Sequence, residues 1–131
     1  MFKVFDLKTH VTEKGALTPM ELDDFIDFEV KRVYTVHQNK DERGGHCHLE
    51  EEEFFFMAAG SCLCRIHDGN QWTEVHLKAN KQAIWVANKV WHEFVGFSED
   101  GVLVALSSTN YNPERVDYIE DFDEFLNHVN V

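Results

Sequence analysis

Two histidines separated by one residue, His46 and His48, are the side chains of this sequence best suited to chemistry. Side chains two residues apart on a β-strand project from the same face, so both imidazoles would face one space. Glu53 follows after four further residues, and His92 comes after another run of strand-like sequence. Three imidazoles and a carboxylate can bind a divalent metal or transfer protons near neutral pH. The spacing leaves both chemistries open.

The residues around the two histidines favour a functional role for them. Gly44 and Gly45 come directly before the pair, and glycine permits a sharp bend or the close approach of a ligand. Glu53 alternates onto the same strand face as Phe55 and Met57, which we assign to the interior. The preceding acidic residues 50–52, Glu51 among them, are expected to form a solvated loop.

Basic and aromatic residues near the histidines are candidates for ligand binding. Arg32 and Tyr34 share one face of a predicted strand, and Arg43 precedes the glycines. In so acidic a chain these cations are notable, because the planar guanidinium suits phosphate through two parallel hydrogen bonds. The remaining histidines have no such context and are interpreted as structural or exposed: His10, His37, His67, His76 and His128.

Composition narrows the class of protein. At 131 residues we expect one domain, 1–131, and 44% hydrophobic residues suffice for a core. The formal net charge of −12 argues against nucleic acid or an anionic membrane as partner, since both need clustered Lys and Arg. The N-terminus lacks a signal-peptide core, and the three cysteines are an odd number, so we predict reduced thiols and a cytoplasmic location.

The pattern of the chain indicates an all-β fold, a sandwich or barrel of short strands separated by turn residues. A loop is predicted at residues 39–45, and Asp68-Gly69-Asn70 predicts a hairpin turn. Apolar residues from Ile119 to Val129 recur at helical spacing and predict a C-terminal amphipathic helix packed on the barrel. The strands are predicted at residues 2–7, 16–20, 29–37, 53–58, 61–67, 72–77, 83–86, 90–97 and 102–107.

Three consecutive phenylalanines, Phe54, Phe55 and Phe56, predict a strand that is covered on both faces. If Phe55 points to the interior, Phe54 and Phe56 need cover from another sheet or another subunit. We therefore predict a homodimer, because exposed apolar patches commonly mark interfaces.

The segment from His46 to Gly60 has the pattern H-x-H-x4-E-x6-G, which resembles the first motif of the cupins. His92 is similar to the histidine of the second cupin motif, although its turn carries neither Pro nor Gly. Across nearly the whole chain, short segments resemble the WxcM-like sugar ketoisomerases: residues 15–17, 30–34, 43–48, 68–69, 90–94, 97–98 and 117–119.

This resemblance implies a cupin jelly roll, commonly paired into a dimer, that acts on a nucleotide-linked keto sugar. The family contains dTDP-4-keto-6-deoxyglucose 3,4-ketoisomerases, which serve deoxy- and amino-sugar biosynthesis for surface polysaccharides. The resemblance implies that His46 and His48 are the acid and base and that Tyr34 and Arg43 line the site. We assign Arg32 and His92 to substrate binding as well. The expected partner is a dTDP-linked keto sugar, with no cofactor.

One departure from the family keeps a rival open. The family commonly has Gln where this chain has Glu53, and Glu restores the ligand set of a metal cupin. The first alternative is therefore a metal-dependent enzyme that uses His46, His48, Glu53 and His92. The second alternative is a cupin that binds a sugar nucleotide without turnover.

Overall fold

Two five-stranded antiparallel sheets, one two-stranded sheet and one short helix make up the fold in the computed structural model, which describes residues 1–40 and 43–129. The elements are β1 (Phe2–Asp6), β2 (His10–Thr12), β3 (Gly15–Leu17), a 3-10 turn (Leu22–Asp24), β4 (Arg32–Val36), β5 (Arg43–His48), β6 (Glu53–Ala59), β7 (Ser61–His67), β8 (Trp72–Lys78), β9 (Gln82–Val86), β10 (Trp91–Val95), β11 (Val102–Ser107), β12 (Tyr118–Ile119) and α1 (Phe122–Val129). The first sheet has the order β1-β9-β6-β11-β4, the second has the order β12-β5-β10-β7-β8, and β2 and β3 form a separate hairpin.

The main core lies between the two sheets and is built from alternate residues of each strand. Phe55 and Met57 of β6 pack there with Cys64 and Ile66 of β7, and all four are buried. Because the strand period is two, the face that carries Glu53 also carries Phe55 and Met57, as predicted. The polar site and the apolar core therefore lie along one strand face.

The outer face of the first sheet is covered by the chain's own N-terminal segment. Phe54 is buried against the rings of Phe5 and Phe25, with centroid distances of 6.3 and 5.6 Å. Phe56 is partly buried in the same cluster, which also includes Ile26. The expectation that these phenylalanines need a second sheet or subunit is therefore wrong for Phe54, because residues 5–28 supply the cover.

The C-terminal segment closes the outer face of the second sheet. Phe125 of α1 and Ile119 of β12 are buried with Cys47 and Trp91, as the helical spacing predicted. The helix starts after Asp121, whose carboxylate accepts the Glu124 amide at 2.9 Å, in the manner of a helix N-cap. β12 pairs with β5, so the segment is joined directly to the strand that carries the histidines.

Most strand positions are confirmed, and the differences have local causes. Residues 43–45 were predicted as loop but belong to β5, because they pair with β10 despite their glycines; positions 41 and 42 of that prediction lie outside the described residues. The strand predicted at 16–20 is Gly15–Leu17 and ends before Pro19, which has no amide hydrogen. The strand predicted at 29–37 is limited to Arg32–Val36 by its pairing with β11.

Among the described residues, no helix has the length and apolar character needed to cross a membrane.

Candidate active site

A cavity of about 460 Å³ opens between the two sheets and contains the predicted site. His46 and His92 line it together with Arg32 and Tyr34 of β4 and with Arg43. The other lining residues are Val36, Gly44, Phe55, Phe94, Leu103, Tyr111, Arg115 and Tyr118. All four residues assigned to substrate binding therefore lie at one cavity, although their roles stay predictions.

The three histidines meet because β5 and β10 are neighbours in register, with His46 opposite His92. The ring centroid of His46 lies 4.8 Å from that of His48 and 4.9 Å from that of His92. Gly44 has φ +87°, and a Cβ there would lie 2.9 Å from the His92 carbonyl oxygen. This close approach of the two backbones explains why glycine occupies position 44, since a side chain there would clash with β10.

His46 and His48 differ in their access to the cavity. His46 is half-buried and lines the cavity, whereas His48 is only 2% exposed and lies behind it. Their Nε2 atoms are 3.2 Å apart, so the two rings are in direct hydrogen-bond contact. A ligand in the cavity would meet His46 first.

Glu53 is buried at the base of the site, with 1% of its surface exposed. Its Oε1 lies 3.1 Å from His48 Nε2 and 3.4 Å from His92 Nε2. The Tyr34 hydroxyl donates a hydrogen bond to the other oxygen, Oε2. The predicted inward register of Glu53 is therefore what the structure shows.

Glu51 lies in the site as well, and its prediction as a solvated loop residue was wrong. It is 3% exposed, with Oε2 3.3 Å from His48 Nε2 and Oε1 accepting a hydrogen bond from Thr109 Oγ1 at 2.6 Å. The Arg32 guanidinium is 3.9 Å from Oε1. The Glu51 side chain points inward because of contacts with distant parts of the chain. The run of acidic residues around it therefore gave no signal of its burial.

Asp117 is a second site residue to which the sequence assigned no role. Its Oδ2 lies 3.1 Å from His48 Nδ1, on the side of the ring away from Glu53. The residue directly precedes β12, which pairs with β5 so that Tyr118 lies opposite His48. The only sequence signal was its place in a segment that resembles the ketoisomerases.

The charges of the buried groups depend on each other. Burial, followed by the neighbouring His92 and His48, lowers the pKa of His46 to about 3, so this ring is neutral near pH 7. Burial also opposes the charged form of His48, but the surrounding carboxylates Glu53, Glu51 and Asp117 outweigh it and raise its pKa. Burial opposes ionisation of Glu53, yet its contacts with His48 and His92 prevail and lower its pKa. A neutral ring thus faces the cavity with an ion pair behind it.

The cavity is lined by arginines and tyrosines of an acidic chain. Of the four arginines in the sequence, Arg32, Arg43 and Arg115 line it, as do all three tyrosines. The Arg115 guanidinium stacks 3.8 Å from the Tyr118 ring centroid, and the Arg32 guanidinium lies 5.5 Å from that of Tyr111. Such a surface suits a ligand that is both anionic and aromatic.

The donor set also fits a divalent metal. His46, His48, His92 and Glu53 each offer one ligand atom, and these atoms all lie within 4.8 Å of one another. Among the described residues, Glu53 Oε1 has no well-aligned hydrogen bond, although two imidazoles are within ion-pair distance. Three neutral imidazoles and a carboxylate match the preferences of first-row transition metals.

Two antiparallel sheets that enclose histidines and a glutamate at one end define the cupin class. The family model described as "FdtA: WxcM-like, C-terminal" matches residues 1–130. The chain belongs to this WxcM-like family.

Relatives of known activity are similar over almost the whole chain. TDP-4-oxo-6-deoxy-alpha-D-glucose-3,4-oxoisomerase of Aneurinibacillus thermoaerophilus is 34% identical over 129 residues, which cover 97% of this chain and 91% of the relative. The crystal structure of a 3,4-ketoisomerase from Helicobacter canadensis is 32% identical, with a TM-score of 0.88 over 99% of this chain and 98% of that chain. A mutant of the 3,4-ketoisomerase QdtA from Thermoanaerobacterium thermosaccharolyticum, in complex with TDP-4-keto-6-deoxyglucose, is 27% identical, with a TM-score of 0.85 over 98% and 93% of the two chains.

The contact between Tyr34 and Glu53 predicts a measurable effect on stability. Burial and the adjacent Glu53 raise the pKa of Tyr34, so its hydroxyl stays protonated and donates to the buried carboxylate. Tyr34→Phe leaves Glu53 Oε2 without this donor and should lower the free energy of unfolding by about 1–3 kcal/mol. The matched variant Tyr111→Phe removes an exposed hydroxyl and should change it by less than about 0.5 kcal/mol. Urea denaturation measures both free energies of unfolding. Equal effects of the two substitutions would contradict the hydrogen bond from Tyr34 to the buried Glu53.

Proposed function

We propose that the chain is a sugar-nucleotide 3,4-ketoisomerase, which moves the keto group of a TDP-linked 6-deoxy-4-keto hexose from C4 to C3. One observation carries this proposal: a cavity with an imidazole cluster at its base and three arginines with three tyrosines around it. The family membership and the relatives' activities support it. The product, a TDP-linked 6-deoxy-3-keto hexose, would be a precursor of deoxy sugars and amino sugars for surface polysaccharides.

The reaction needs only the transfer of protons. The C4 ketone acidifies the hydrogen on C3; a base removes that proton while O4 gains one, and an enediol forms. O3 then loses its proton as C4 gains one, so a C3 ketone and a C4 hydroxyl result. Carbon C3 is oxidised by the same two electrons that reduce C4, so no external oxidant or reductant takes part. Imidazole suits these steps because it accepts and donates protons near pH 7.

His46 and His48 supply the acid and base in this proposal, with different places in the site. His46 meets the sugar because it lines the cavity and is held neutral there. His48 exchanges protons with it across the 3.2 Å contact between their Nε2 atoms. Tyr34 and His92 bind the sugar beside them, and the positive charge of Arg32 or Arg43 stabilises the developing oxyanion.

The nucleotide end of the substrate lies at the mouth of the cavity. The diphosphate is the anionic part of such a ligand, and its natural partners are Arg115 and the one of Arg32 and Arg43 that does not face the oxyanion. The exposed ring of Tyr111 offers a stacking surface for the base. The concentration of cations at one point of a chain with net charge −12 supports this orientation.

Turnover of TDP-4-keto-6-deoxyglucose tests the function. In D2O the wild type should form the 3-keto product with solvent deuterium at C4, and reversal should introduce deuterium at C3 of the remaining substrate, both followed by NMR. His46→Asn and His48→Asn should each lower kcat by at least about 100-fold while the melting temperature stays within a few degrees. His76→Asn, at an exposed position on β8, is the matched control and should keep full activity.

Two outcomes would contradict this assignment. Near-normal kcat in both site variants would exclude the histidine mechanism. Saturable binding of the sugar nucleotide by the wild type, without any exchange or product, would identify a binding module instead of an enzyme.

A metal-dependent reaction is the second candidate, favoured by the four convergent ligand atoms and the incompletely satisfied Glu53 Oε1. His46, His48, His92 and Glu53 would hold the ion, which would polarise the substrate carbonyl as a Lewis acid. We place the reaction without a cofactor first, because the imidazoles can carry out the proton transfers themselves.

Metal analysis of protein purified without a His-tag separates the two candidates. If the isomerase needs no cofactor, turnover by the wild type should survive EDTA treatment. If a metal acts, the wild type should hold it stoichiometrically, Glu53→Gln should lose it, and Glu52→Gln should keep it, since Glu52 instead accepts the Trp85 indole hydrogen bond. Activity that EDTA abolishes and added metal restores would overturn the cofactor-free proposal.

We also propose a homodimer, on a surface other than the one first predicted. Val11 and Leu17 of the β2–β3 hairpin are 77% and 65% exposed, and the hairpin pairs with neither large sheet among the described residues. Light scattering at micromolar concentration should give twice the chain mass of 15.3 kDa. Leu17→Lys should shift the mass toward the monomer, whereas Lys8→Glu, a change of charge at a residue outside the hairpin, should not; a monomeric wild type would contradict the proposal.

The cytoplasmic location stays a prediction. It is supported by three free, buried cysteines, Cys47, Cys62 and Cys64, a pattern common where thiols are kept reduced.

A further inference from the structure

We propose that Asp117 is a positioning residue, which holds the His48 ring in a single orientation for the isomerase reaction. Its carboxylate Oδ2 lies 3.1 Å from His48 Nδ1, while His48 Nε2 lies 3.2 Å from His46 Nε2 and 3.1 Å from Glu53 Oε1. The two ring nitrogens therefore have separate sets of partners. The inference rests on the proposed function, since that function makes the orientation of His48 matter.

The carboxylate of Asp117 is itself fixed by the backbone around the end of β5. Its Oδ1 accepts the Glu50 amide at 2.7 Å, and Oδ2 accepts the Glu51 amide at 3.3 Å. Its carbonyl oxygen accepts the Leu49 amide at 2.9 Å. Three contacts to successive residues after His48 leave the carboxylate little freedom relative to the ring.

The partner at Nδ1 decides which nitrogen is available for proton exchange. A carboxylate at hydrogen-bond distance favours a hydrogen on Nδ1, and in histidine the bond made by one nitrogen fixes the role of the other. Nε2 is then the atom that exchanges a proton with His46. Rotation of the ring by half a turn would place carbon atoms against Glu53 and Asp117 and break both contacts.

Asp117 acts through His48 and not on the sugar. It is not among the described residues that line the cavity, and it lies on the far side of the His48 ring. Glu51 and Glu53, in contrast, approach the Nε2 side. The position of Asp117 is thus that of the aspartate in a histidine–aspartate pair, which orients the imidazole without contact to the substrate.

Asp117→Asn tests the proposal with little change in shape. The asparagine oxygen can still accept the Glu50 amide, but its NH2 group then faces His48 Nδ1, which must act as acceptor and give up its hydrogen, so that only Nε2 carries one. We expect kcat to fall roughly 10²- to 10⁴-fold, with KM within threefold of the wild type and a melting temperature within a few degrees.

A second measurement separates positioning of the His48 ring from a purely structural role of Asp117, because loss of stability alone would not change it. The ¹⁵N shifts of the His48 side chain, assigned by comparison with His48→Asn, report whether each of the two ring nitrogens carries a hydrogen. In the wild type without substrate they should show a hydrogen on Nδ1, and in Asp117→Asn they should show Nδ1 as an acceptor. This measurement is independent of any turnover.

Asp121→Ala is the matched control, because it removes a carboxylate from the same C-terminal segment without touching His48. It deletes the helix N-cap contact to Glu124 and should lower the melting temperature while kcat changes less than twofold.

The proposal is overturned if Asp117→Asn keeps near-normal kcat, if His48 Nδ1 carries a hydrogen in both proteins, or if Asp121→Ala loses as much activity. A wild type without isomerase activity would refute the proposed function alone, since the tautomer comparison still tests the role of Asp117.

Discussion

The burial of the Glu53 carboxylate is the constraint on which the site depends. A carboxylate that is 1% exposed must be compensated, because an unpaired buried charge costs several kcal/mol. Its partners come from three strands: Tyr34 of β4, His48 of β5 and His92 of β10. Glu53 and Tyr34 belong to the first sheet and the histidines to the second. One buried charge therefore joins the two sheets at the end of the barrel where the cavity opens.

The same strand shows how the protein separates chemistry from stability. Along the inner face of β6, Glu53 is followed by Phe55, which packs against the Phe94 ring at 4.7 Å, and then by Met57 in the apolar core. Within two strand repeats the surroundings change from paired charges to hydrocarbon. The polar cluster is thus confined to one end, and the remaining interior supplies ordinary apolar packing.

Features that follow from local period or turn chemistry could be predicted from the sequence. Strands β7 and β11 and the Asp68-Gly69-Asn70 turn were placed correctly, and period two alone put His46, His48 and Glu53 on inner faces. Glu51 and Asp117 were missed because contacts between segments more than 50 residues apart fix their directions. The first residues of β5, 43–45, were predicted as loop because glycines favour loops, but pairing with β10 overrides that preference. Pairing between strands that are distant in the sequence cannot be predicted from a short stretch of residues.

The C-terminal segment connects the apolar packing on the outside of the barrel with the polar site inside it. A two-residue strand such as β12 has little stability of its own, but Ile119 and Phe125 are buried against Cys47 and Trp91. Cys47 stands between the two site histidines and points to the opposite face. The helix therefore packs on the back of the strand whose front carries His46 and His48, and it fixes the adjoining Asp117 and Tyr118 against them. Apolar burial on one face of β5 thus supports the geometry of the opposite face, which carries His46 and His48.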